Sequence, residues 1–385
     1  MPWKRETPMD QRIKLIGDWL SGDYGKSELS RRYGVSRPIV DKWIGRYAAN
    51  GVEGLKERSR TPHRRPNQTS EAVAARLIEA KLQHMDWGPK KLVRYLSIKS
   101  PETRWPAPST AGELLRRQGL VSKRVRRTKT PAYSHPFHGC DAPNQVWSVD
   151  YKGQFKTADG RWCYPLTVTD NDSRYLLACQ ALARPRLVET RPWFEWVFRE
   201  YGLPDAIRSD NGSPFASVGL GGLSALSVWW IKLGIIPERI KPGRPDQNGR
   251  HERMHRSLKA ATLKPPAQDL HRQQEAFTVF REVFNAERPH EALDMETPAS
   301  RYCRSERRYP DKLSEIEYGD EFEVRKVRSN GEIKWMGHLL YVSEALRGEP
   351  VGLKEAGDGL WELYFSTRHI GDLNTKRDRF ETPKV

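Results

Sequence analysis

The sequence contains few cysteines. Cys140, Cys163, Cys179 and Cys303 are the only four in 385 residues, and they form neither a CxxC pair nor a ligand-like spacing with histidine. This pattern argues against a structural zinc site and against the disulfide framework of small secreted proteins. We therefore expect four free thiols in a reducing compartment.

Long apolar segments are also absent. No run of 18 apolar residues occurs, which argues against a membrane-spanning helix. The first residues, Met-Pro-Trp-Lys-Arg-Glu, lack the apolar stretch of a signal peptide. We expect a cytoplasmic protein that does not associate with membranes.

Acidic residues are scarce in the first third of the chain. The full sequence has 66 Lys and Arg against 49 Asp and Glu, a net charge of +17. Residues 1–139 hold 29 of the basic and 13 of the acidic residues, whereas the remainder holds 37 and 36. The excess is therefore confined to a segment with the charge typical of a polyanion binder. Because these residues are spread over several short helical patterns, nucleic acid is favoured over a membrane surface.

Changes in composition divide the chain into four predicted domains, which together give a multidomain α+β fold. Residues 1–60 form a helix-turn-helix DNA-binding domain, and residues 66–125 form a second, helix-turn-helix-like DNA-binding domain. Residues 140–300 combine strands and helices. Residues 310–385 contain five short strand patterns separated by glycine and asparagine turns, which predict a small β-barrel. These patterns are 321–327, 332–335, 339–342, 351–355 and 360–365.

The first domain has a short helix, a turn at Gly34 and a second helix that begins at Ser36. This order is typical of a helix-turn-helix, whose second helix enters the major groove. An ordinary three-helix bundle is the alternative, but the positive charge favours DNA binding. The predicted DNA contacts on this second helix are Ser36, Arg37, Lys42 and Arg46.

The second domain ends with a helix that Ser109 is expected to cap and that carries Arg116, another predicted DNA contact. A basic segment follows. It is either a flexible linker or a path along DNA phosphates. On the second interpretation its DNA contacts are Lys123, Arg124, Arg126 and Arg127.

Residues 144–288 predict a mixed five-stranded sheet covered by helices. Three antiparallel strands come first, and helices and strands then alternate. The predicted strands are 146–155, 162–169, 175–181, 206–209 and 235–240. The predicted helices are 187–201, 224–233, 248–263 and 269–288.

Three acidic residues of this region are the candidate active site. Asp150 lies within the first strand, Asp210 ends the fourth strand, which can pair beside the first, and Glu252 lies on a helix packed nearby. Each acid alone is compatible with a structural role: a strand-end acid, the start of a turn, or a solvated helix residue. Together they favour a metal site, because Mg²⁺ prefers oxygen ligands and two such ions can activate an attacking oxygen and stabilise a leaving one.

Asp150, the Asp210-Asn-Gly212 turn and the segment Gln-Asn-Gly-Arg-His-Glu252 resemble the corresponding motifs of DDE insertion-sequence transposases with an integrase catalytic core, in the retroviral-integrase superfamily. The resemblance implies an RNase H-like core in which Asp150, Asp210 and Glu252 are the catalytic residues and the ligands of two Mg²⁺ or Mn²⁺ ions. The 41 residues between Asp210 and Glu252 make a longer spacer than in many integrases. The histidine–cysteine zinc module of retroviral integrases is absent.

The function implied is that of a DNA transposase. Such an enzyme binds transposon ends, cuts them by metal-dependent hydrolysis and joins the new 3′-hydroxyl to target DNA. Its partners are double-stranded DNA and at least one further copy of the chain, because two ends must be held together. The alternatives are a catalytically inactive DNA-binding regulator and an RNase H-like nuclease without strand transfer.

The helix that carries Glu252 adds predicted DNA contacts. Glu252, His255, Arg256 and Lys259 follow the i, i+3, i+4, i+7 spacing of one helix face. The last three residues, together with Lys241, are expected to contact the DNA end. A solvated face with intrahelical ion pairs is the alternative, and for His255 a packing contact is a further one.

Overall fold

The structure is a computed structural model that describes residues 7–59, 68–121, 139–151, 153–217, 219–240, 248–357, 359–374 and 379–381. The chain divides into two compact units, Met1–Gln68 and Thr69–Val385. All four cysteines are free thiols, as the sequence predicts. Within the described ranges, no helix is long and apolar enough to cross a membrane.

The first unit is a bundle of three helices: α1 (Pro8–Leu20), α2 (Lys26–Tyr33) and α3 (Arg37–Asn50). Gly34 adopts a left-handed conformation, with φ 61°, which turns the chain between α2 and α3. The helix order predicted for a helix-turn-helix is therefore present. The buried core consists of Leu15, Ile16, Leu29, Val40, Trp43 and Leu55.

The second unit begins with another helical module, formed by α4 (Glu71–Gln83), α5 (Pro89–Lys99) and α6 (Pro108–Arg117). Trp87 lies at its centre, 2% exposed, and stacks on His84 with ring centroids 3.9 Å apart. An ion pair of 3.1 Å between Asp86 and Arg288 joins this module to the segment that follows the central sheet.

The central sheet is mixed, as predicted. Its strands are β1 (Val146–Tyr151), β2 (Phe155–Lys156), β3 (Trp162–Asp170), β4 (Leu176–Leu182), β5 (Ala206–Ser209) and β6 (Ile236–Arg239). The main order is β4-β3-β1-β5-β6; β3 pairs antiparallel with β1 and β4, and β5 pairs parallel with β1 and β6. The predicted first strand is interrupted: β1 ends at Tyr151, and the two-residue β2 then pairs with the start of β3.

Helices cover both faces of this sheet. Its larger apolar core includes side chains from α7 (Leu187–Tyr201) and α8 (Ala225–Lys232). A second core joins β3 and β4 to α9 (Gly249–Thr262) and α10 (Leu270–Glu282). The predicted helix 269–288 is shorter than expected, since a π-helical turn, Val283–Glu287, follows α10. The short α11 (Pro298–Arg301) comes next.

The C-terminal strands do not form the closed barrel that the sequence predicts. Among the described strands, one open sheet has the order β13-β12-β11-β10-β7, and β8 pairs only with β9. A closed barrel requires the two edge strands to share a hydrogen-bonded ladder, and no such pairing joins β13 to β7. The strands are β7 (Glu323–Lys326), β8 (Glu332–Trp335), β9 (His338–Tyr341), β10 (Pro350–Gly357), β11 (Leu360–Phe365), β12 (Arg368–Asn374) and β13 (Arg379–Glu381).

The C-terminal sheets share a core with the residues around α8. Leu223 and Val228 are buried in one cluster with Val351, Leu363 and other residues of these strands. An ion pair of 2.7 Å between Lys232 and Glu349 lies beside this contact. Burial of shared apolar surface therefore joins the C-terminal region to the central sheet within the second unit.

Candidate active site and DNA-binding surfaces

Asp150 and Asp210 lie level with each other at one end of the β1–β5 ladder. The parallel register pairs Val146 with Ala206 and Ser148 with Arg208. The same one-for-one register, continued by two residues, brings Asp150 level with Asp210, the residue after β5. Since neighbouring strands lie about 4.8 Å apart, the sheet places the two acids side by side although 59 residues separate them in sequence.

The turn after β5 fixes the position of Asp210. Its Oδ1 accepts a hydrogen bond of 3.1 Å from the backbone N–H of Gly212. The Asn211 side chain donates to the carbonyl of Ile240 at 2.9 Å, which ties the turn to the residue after β6. A Cβ at Gly212 would lie 3.1 Å from Asp210 Oδ2. Glycine therefore leaves room for the carboxylate, and the Asp-Asn-Gly motif has a local structural role.

A buried polar layer lies between α9 and the sheet, on the face to which Asp150 belongs. Thr167, the cross-strand partner of Asp150, donates its hydroxyl proton to the Asp150 carbonyl at 3.0 Å. The same Thr167 oxygen lies 2.7 Å from Nε2 of His251 and 2.7 Å from Nε2 of His255. Thr169 is 2.7 Å from Nδ1 of His251. Two histidines one helical turn apart thus attach α9 to β3 and, through Thr167, to β1.

The hydrogen bonds of this layer define the protonation of His251. A hydroxyl carries one proton, and Thr167 donates its proton to Asp150, so His251 Nε2 must donate to Thr167. Nδ1 then accepts from Thr169. Burial lowers the pKa of His251 to about 3, which is consistent with this neutral form.

The side chains of the three predicted acids differ in exposure. Asp150 is 24% exposed, and its Oδ2 lies 3.8 Å from Nδ1 of His255. Asp210 is half-buried, and Glu252 is exposed on the first turn of α9. The structure therefore brings Asp150 and Asp210 together at the end of the sheet, with Glu252 on the helix that packs against β1.

The three acids do not form a compact metal-ligand group. Among the described residues, only Glu362, His369 and Asp372 have ligand atoms that all lie within 4.8 Å of one another. In that group His369 is hydrogen-bonded to Asp372 at 2.8 Å, and Tyr364 donates to Glu362 at 2.8 Å. Contacts within the C-terminal sheet thus account for its arrangement. Carboxylates without a cation repel each other, so the wider spacing of the three acids does not conflict with a metal site.

The structure separates the residues predicted to contact DNA into three groups. Ser36, Arg37, Lys42, Arg256 and Lys259 are exposed. Arg46 is half-buried against the Trp43 ring, and Arg116 makes a bidentate ion pair with Glu113. Lys123, Arg124, Arg126, Arg127 and Lys241 lie outside the described residues.

His255 differs from the prediction that it contacts DNA. It is 4% exposed, and its hydrogen bond to Thr167 places it in the interior, so the packing alternative fits its position. The helix periodicity fails here because α9 turns this part of the predicted face toward the sheet. His251 and Thr167 were missed as site residues. The i, i+4 spacing of His251 and His255 was the one available signal, and nothing local connects either residue to Thr167.

Comparison with protein-family models adds evidence that is independent of this geometry. Residues 141–245 and 233–298 both match the integrase core domain. Together these two matches span residues 141–298. Upstream of them, residues 11–65 match a helix-turn-helix domain and residues 39–115 a homeodomain-like domain. Residues 322–379 match the C-terminal domain of IS481 family transposases. These matches confirm the resemblance to insertion-sequence transposases.

Similar curated proteins come from insertion elements and retroviruses. An IS407 protein of Burkholderia multivorans is 24% identical over 61% of this chain and 82% of its own length. An IS476 protein of Xanthomonas euvesicatoria is 25% identical over 61% of this chain and 65% of its own length. The Gag-Pol polyprotein of avian reticuloendotheliosis virus is 34% identical over 32% of this chain, but only 10% of the polyprotein is covered.

The similar solved structures include retroviral proteins. A chain of the simian T-cell lymphotropic virus intasome in complex with PP2A regulatory subunit B56 gamma matches with a TM-score of 0.38 and 14% identity, over 80% of this chain and 99% of that chain. The HTLV-2 integrase catalytic core domain in complex with magnesium matches with a TM-score of 0.33 and 18% identity, over 42% of this chain and 97% of that chain. Similarity this low supports no conclusion about activity.

Proposed function

We propose that this protein is a DNA transposase that cuts the ends of its element and joins them to target DNA. The observation that carries the proposal is that Asp150, on β1, lies level with Asp210, the residue directly after the adjacent strand β5. Helix α9 supports it, because α9 carries Glu252 and packs against β1. Carboxylates on three different elements give the oxygen donor set that hard divalent cations prefer.

Asp150, Asp210 and Glu252 would hold two Mg²⁺ or Mn²⁺ ions. Such ions, when bound, stabilise negative charge on the transferring phosphate and lower the pKa of a bound water. The polar layer under α9 keeps Asp150 in position, and the Asp-Asn-Gly turn does the same for Asp210. Both acids are thus oriented by the fold before DNA arrives, which favours phosphoryl transfer.

Basic residues near the site fit the binding of a DNA end. Arg256 and Lys259 are exposed on α9, within the same two turns as Glu252. On DNA, positive side chains mainly contact phosphates and so set the position of the protein. The helix-turn-helix domain would supply sequence recognition through Ser36 and Arg37 at the start of α3, with Lys42 nearer the phosphates. Since two ends must be cut together, we propose at least a dimer on DNA.

The test is a reaction of the purified protein with DNA that carries the flanking ends of its own gene. In Mg²⁺ or Mn²⁺, the wild type should nick at the ends and form joined products. Glu252→Gln should lose cleavage and still protect the ends from nuclease digestion, because the change removes one metal ligand far in sequence from α3. Glu275→Gln, at an exposed position on α10, is the matched control and should react like the wild type.

Two results would contradict the proposal. Substantial cleavage by Glu252→Gln would show that Glu252 is not a required metal ligand. End binding by the wild type without cleavage in any divalent metal would point instead to a DNA-binding regulator.

A further inference from the structure

Thr167 occupies a junction in the candidate site. It lies on β3 directly opposite Asp150, and its side chain is fully buried. One hydroxyl there makes three hydrogen bonds: it donates to the backbone of β1 and accepts from two histidines of α9. Each partner belongs to an element that carries a predicted metal ligand, Asp150 on β1 and Glu252 on α9.

The packing of α9 against the sheet does not require the hydrogen bonds at Thr167. Met254 and Leu258 already bury the apolar side of α9 against Phe277 and its neighbours. Burying two imidazole rings beside a hydroxyl costs free energy unless each polar atom is paired. Both nitrogens of His251 are paired, one with Thr167 and one with Thr169. Apolar residues at these positions would pack α9 without fixing its rotation or its position along β1.

Directional bonds fix what apolar contacts leave adjustable. Three hydrogen bonds to one atom set the distance and the angle between α9 and β1. Glu252 follows His251 directly in sequence, so a shift of His251 along the sheet would move Glu252 by a similar amount relative to Asp150. Metal affinity depends on such spacing, because replacing a residue that orients the ligands typically costs about 10–100-fold in metal affinity.

We propose that Thr167 is a positioning residue that sets the separation of Asp150 and Glu252 and thereby the metal affinity of the active site. This inference rests on the proposed function, because it takes Asp150 and Glu252 as metal ligands. Thr167 itself contacts neither metal nor DNA. It acts through the carbonyl of Asp150 and through the two histidines that precede and follow Glu252 on α9.

The test compares variants of the full-length protein in titrations with MnCl₂. Two quantities are measured: the Mn²⁺ concentration that gives half of the metal-induced rise in unfolding temperature, and the Mn²⁺ concentration that gives half-maximal end cleavage. Thr167→Val keeps the shape of the side chain and removes the hydroxyl. We expect Thr167→Val to raise both Mn²⁺ concentrations roughly tenfold. This is the lower end of the loss in metal affinity that is typical when a residue that orients metal ligands is replaced. Thr167→Ser, which keeps the hydroxyl, should restore wild-type values.

Thr262→Val is the matched control. Thr262 is also a buried threonine, but its hydroxyl bonds to the carbonyl of Leu258 within α9 itself. Thr262→Val should leave both half-maximal Mn²⁺ concentrations at wild-type values, even if it lowers the unfolding temperature. If Thr167→Val does not fold, Thr167→Cys, which has a weaker donor of similar size, should give an intermediate increase.

Three outcomes would overturn the inference. In the first, Thr167→Val, or Thr167→Cys in its place, lowers the unfolding temperature without metal and leaves both Mn²⁺ concentrations at wild-type values. In the second, Thr262→Val raises them equally. In the third, Mn²⁺ either has no effect on the wild type or has the same effect on Asp150→Asn as on the wild type. This third outcome would refute the proposed metal site as well, whereas the first two refute only the role of Thr167.

Discussion

Arg37 and Lys42 are exposed residues of the same helix, α3, at positions that differ in what they would contact. Arg37 is in the first turn, where a recognition helix reaches base edges, and Lys42 lies further along, where phosphates are closer. Base contacts carry sequence information and phosphate contacts do not. The two substitutions should therefore have different signatures in binding experiments.

For Arg37→Ala we predict a loss of about 1–3 kcal/mol in binding to the element end, together with relaxed specificity at one position of the site. For Lys42→Ala we predict weaker binding to all sequences and a salt dependence reduced by about one unit of slope. Fluorescence anisotropy at several salt concentrations, on specific and scrambled DNA, measures both. Equal effects of Arg37→Ala on the two DNAs would contradict the assignment of Arg37 to base contact.

The three candidate acids stand out in the sequence because each is marked by its neighbours, and their role as metal ligands stays a prediction. Asp150 sits in an alternating strand pattern, and Asp210 precedes Asn and Gly, which make a turn. The contact between Thr167 and His251 could not be predicted, since they lie 84 positions apart in the sequence and no local pattern joins them. His255 was assigned to the DNA surface because helix periodicity alone does not say which face meets the sheet.

At the level of elements, α5 shows how the second helical module packs onto the central domain. Lys91 on α5 is largely buried, and burial followed by repulsion from Arg288 lowers its pKa to about 8. The ordinary pKa of lysine is near 10.5, so the unfolded chain binds this proton more tightly than the folded chain. The contribution of Lys91 to stability is therefore unfavourable below about pH 8, and it improves as the pH rises from 8 toward 10.5.

We predict that Lys91→Met increases the free energy of unfolding at pH 7 by on the order of 1 kcal/mol, after allowance for solvent screening. The gain should shrink as the pH rises toward the ordinary lysine pKa. Urea denaturation at a series of pH values measures it, and Lys90→Met, at the exposed neighbouring position, is the control. A gain that does not depend on pH would mean that packing, and not charge burial, is responsible.

The C-terminal strands are the elements that the sequence predicted least well. The first five strand patterns were identified, but β12 and β13 were missed. The buried apolar residues of β12, Ile370 and Leu373, are three positions apart and so do not follow a two-residue alternation, and β13 has only three residues. The prediction of a barrel was wrong for a related reason. Closure of a barrel depends on pairing between the two edge strands, and the residue pattern within a single strand does not determine this pairing.

Across the whole molecule, Leu223 shows how the C-terminal region depends on the central domain. Leu223 is 2% exposed and precedes α8, yet it packs with the C-terminal strands. Leu223→Ala should therefore cost about 2–5 kcal/mol of unfolding free energy. Leu82→Ala, at a position that is 58% exposed, should cost far less. Chemical denaturation tests this, and equal effects of the two changes would contradict the shared core.

The mixed central sheet was predictable from the sequence, because three consecutive strand patterns come first and strands then alternate with helices, and the fourth predicted strand was expected beside the first. The contact between the second helical module and the central domain was not. It depends on Asp86 and Arg288, which lie about two hundred residues apart in the sequence, and only the folded chain brings them together.

The central claim is that Asp150, Asp210 and Glu252 bind the metal that cuts DNA, and a change of metal specificity tests it most directly. Asp150→Cys replaces a hard oxygen ligand by sulfur, which Mg²⁺ binds poorly and softer divalent ions bind better. End cleavage by this variant is measured in Mg²⁺ and again in Mn²⁺, beside the wild type and Asp150→Ala. We predict no cleavage in Mg²⁺, partial recovery in Mn²⁺ and no recovery for Asp150→Ala. Wild-type cleavage by Asp150→Cys in Mg²⁺, or equal recovery of both variants in Mn²⁺, would contradict the claim.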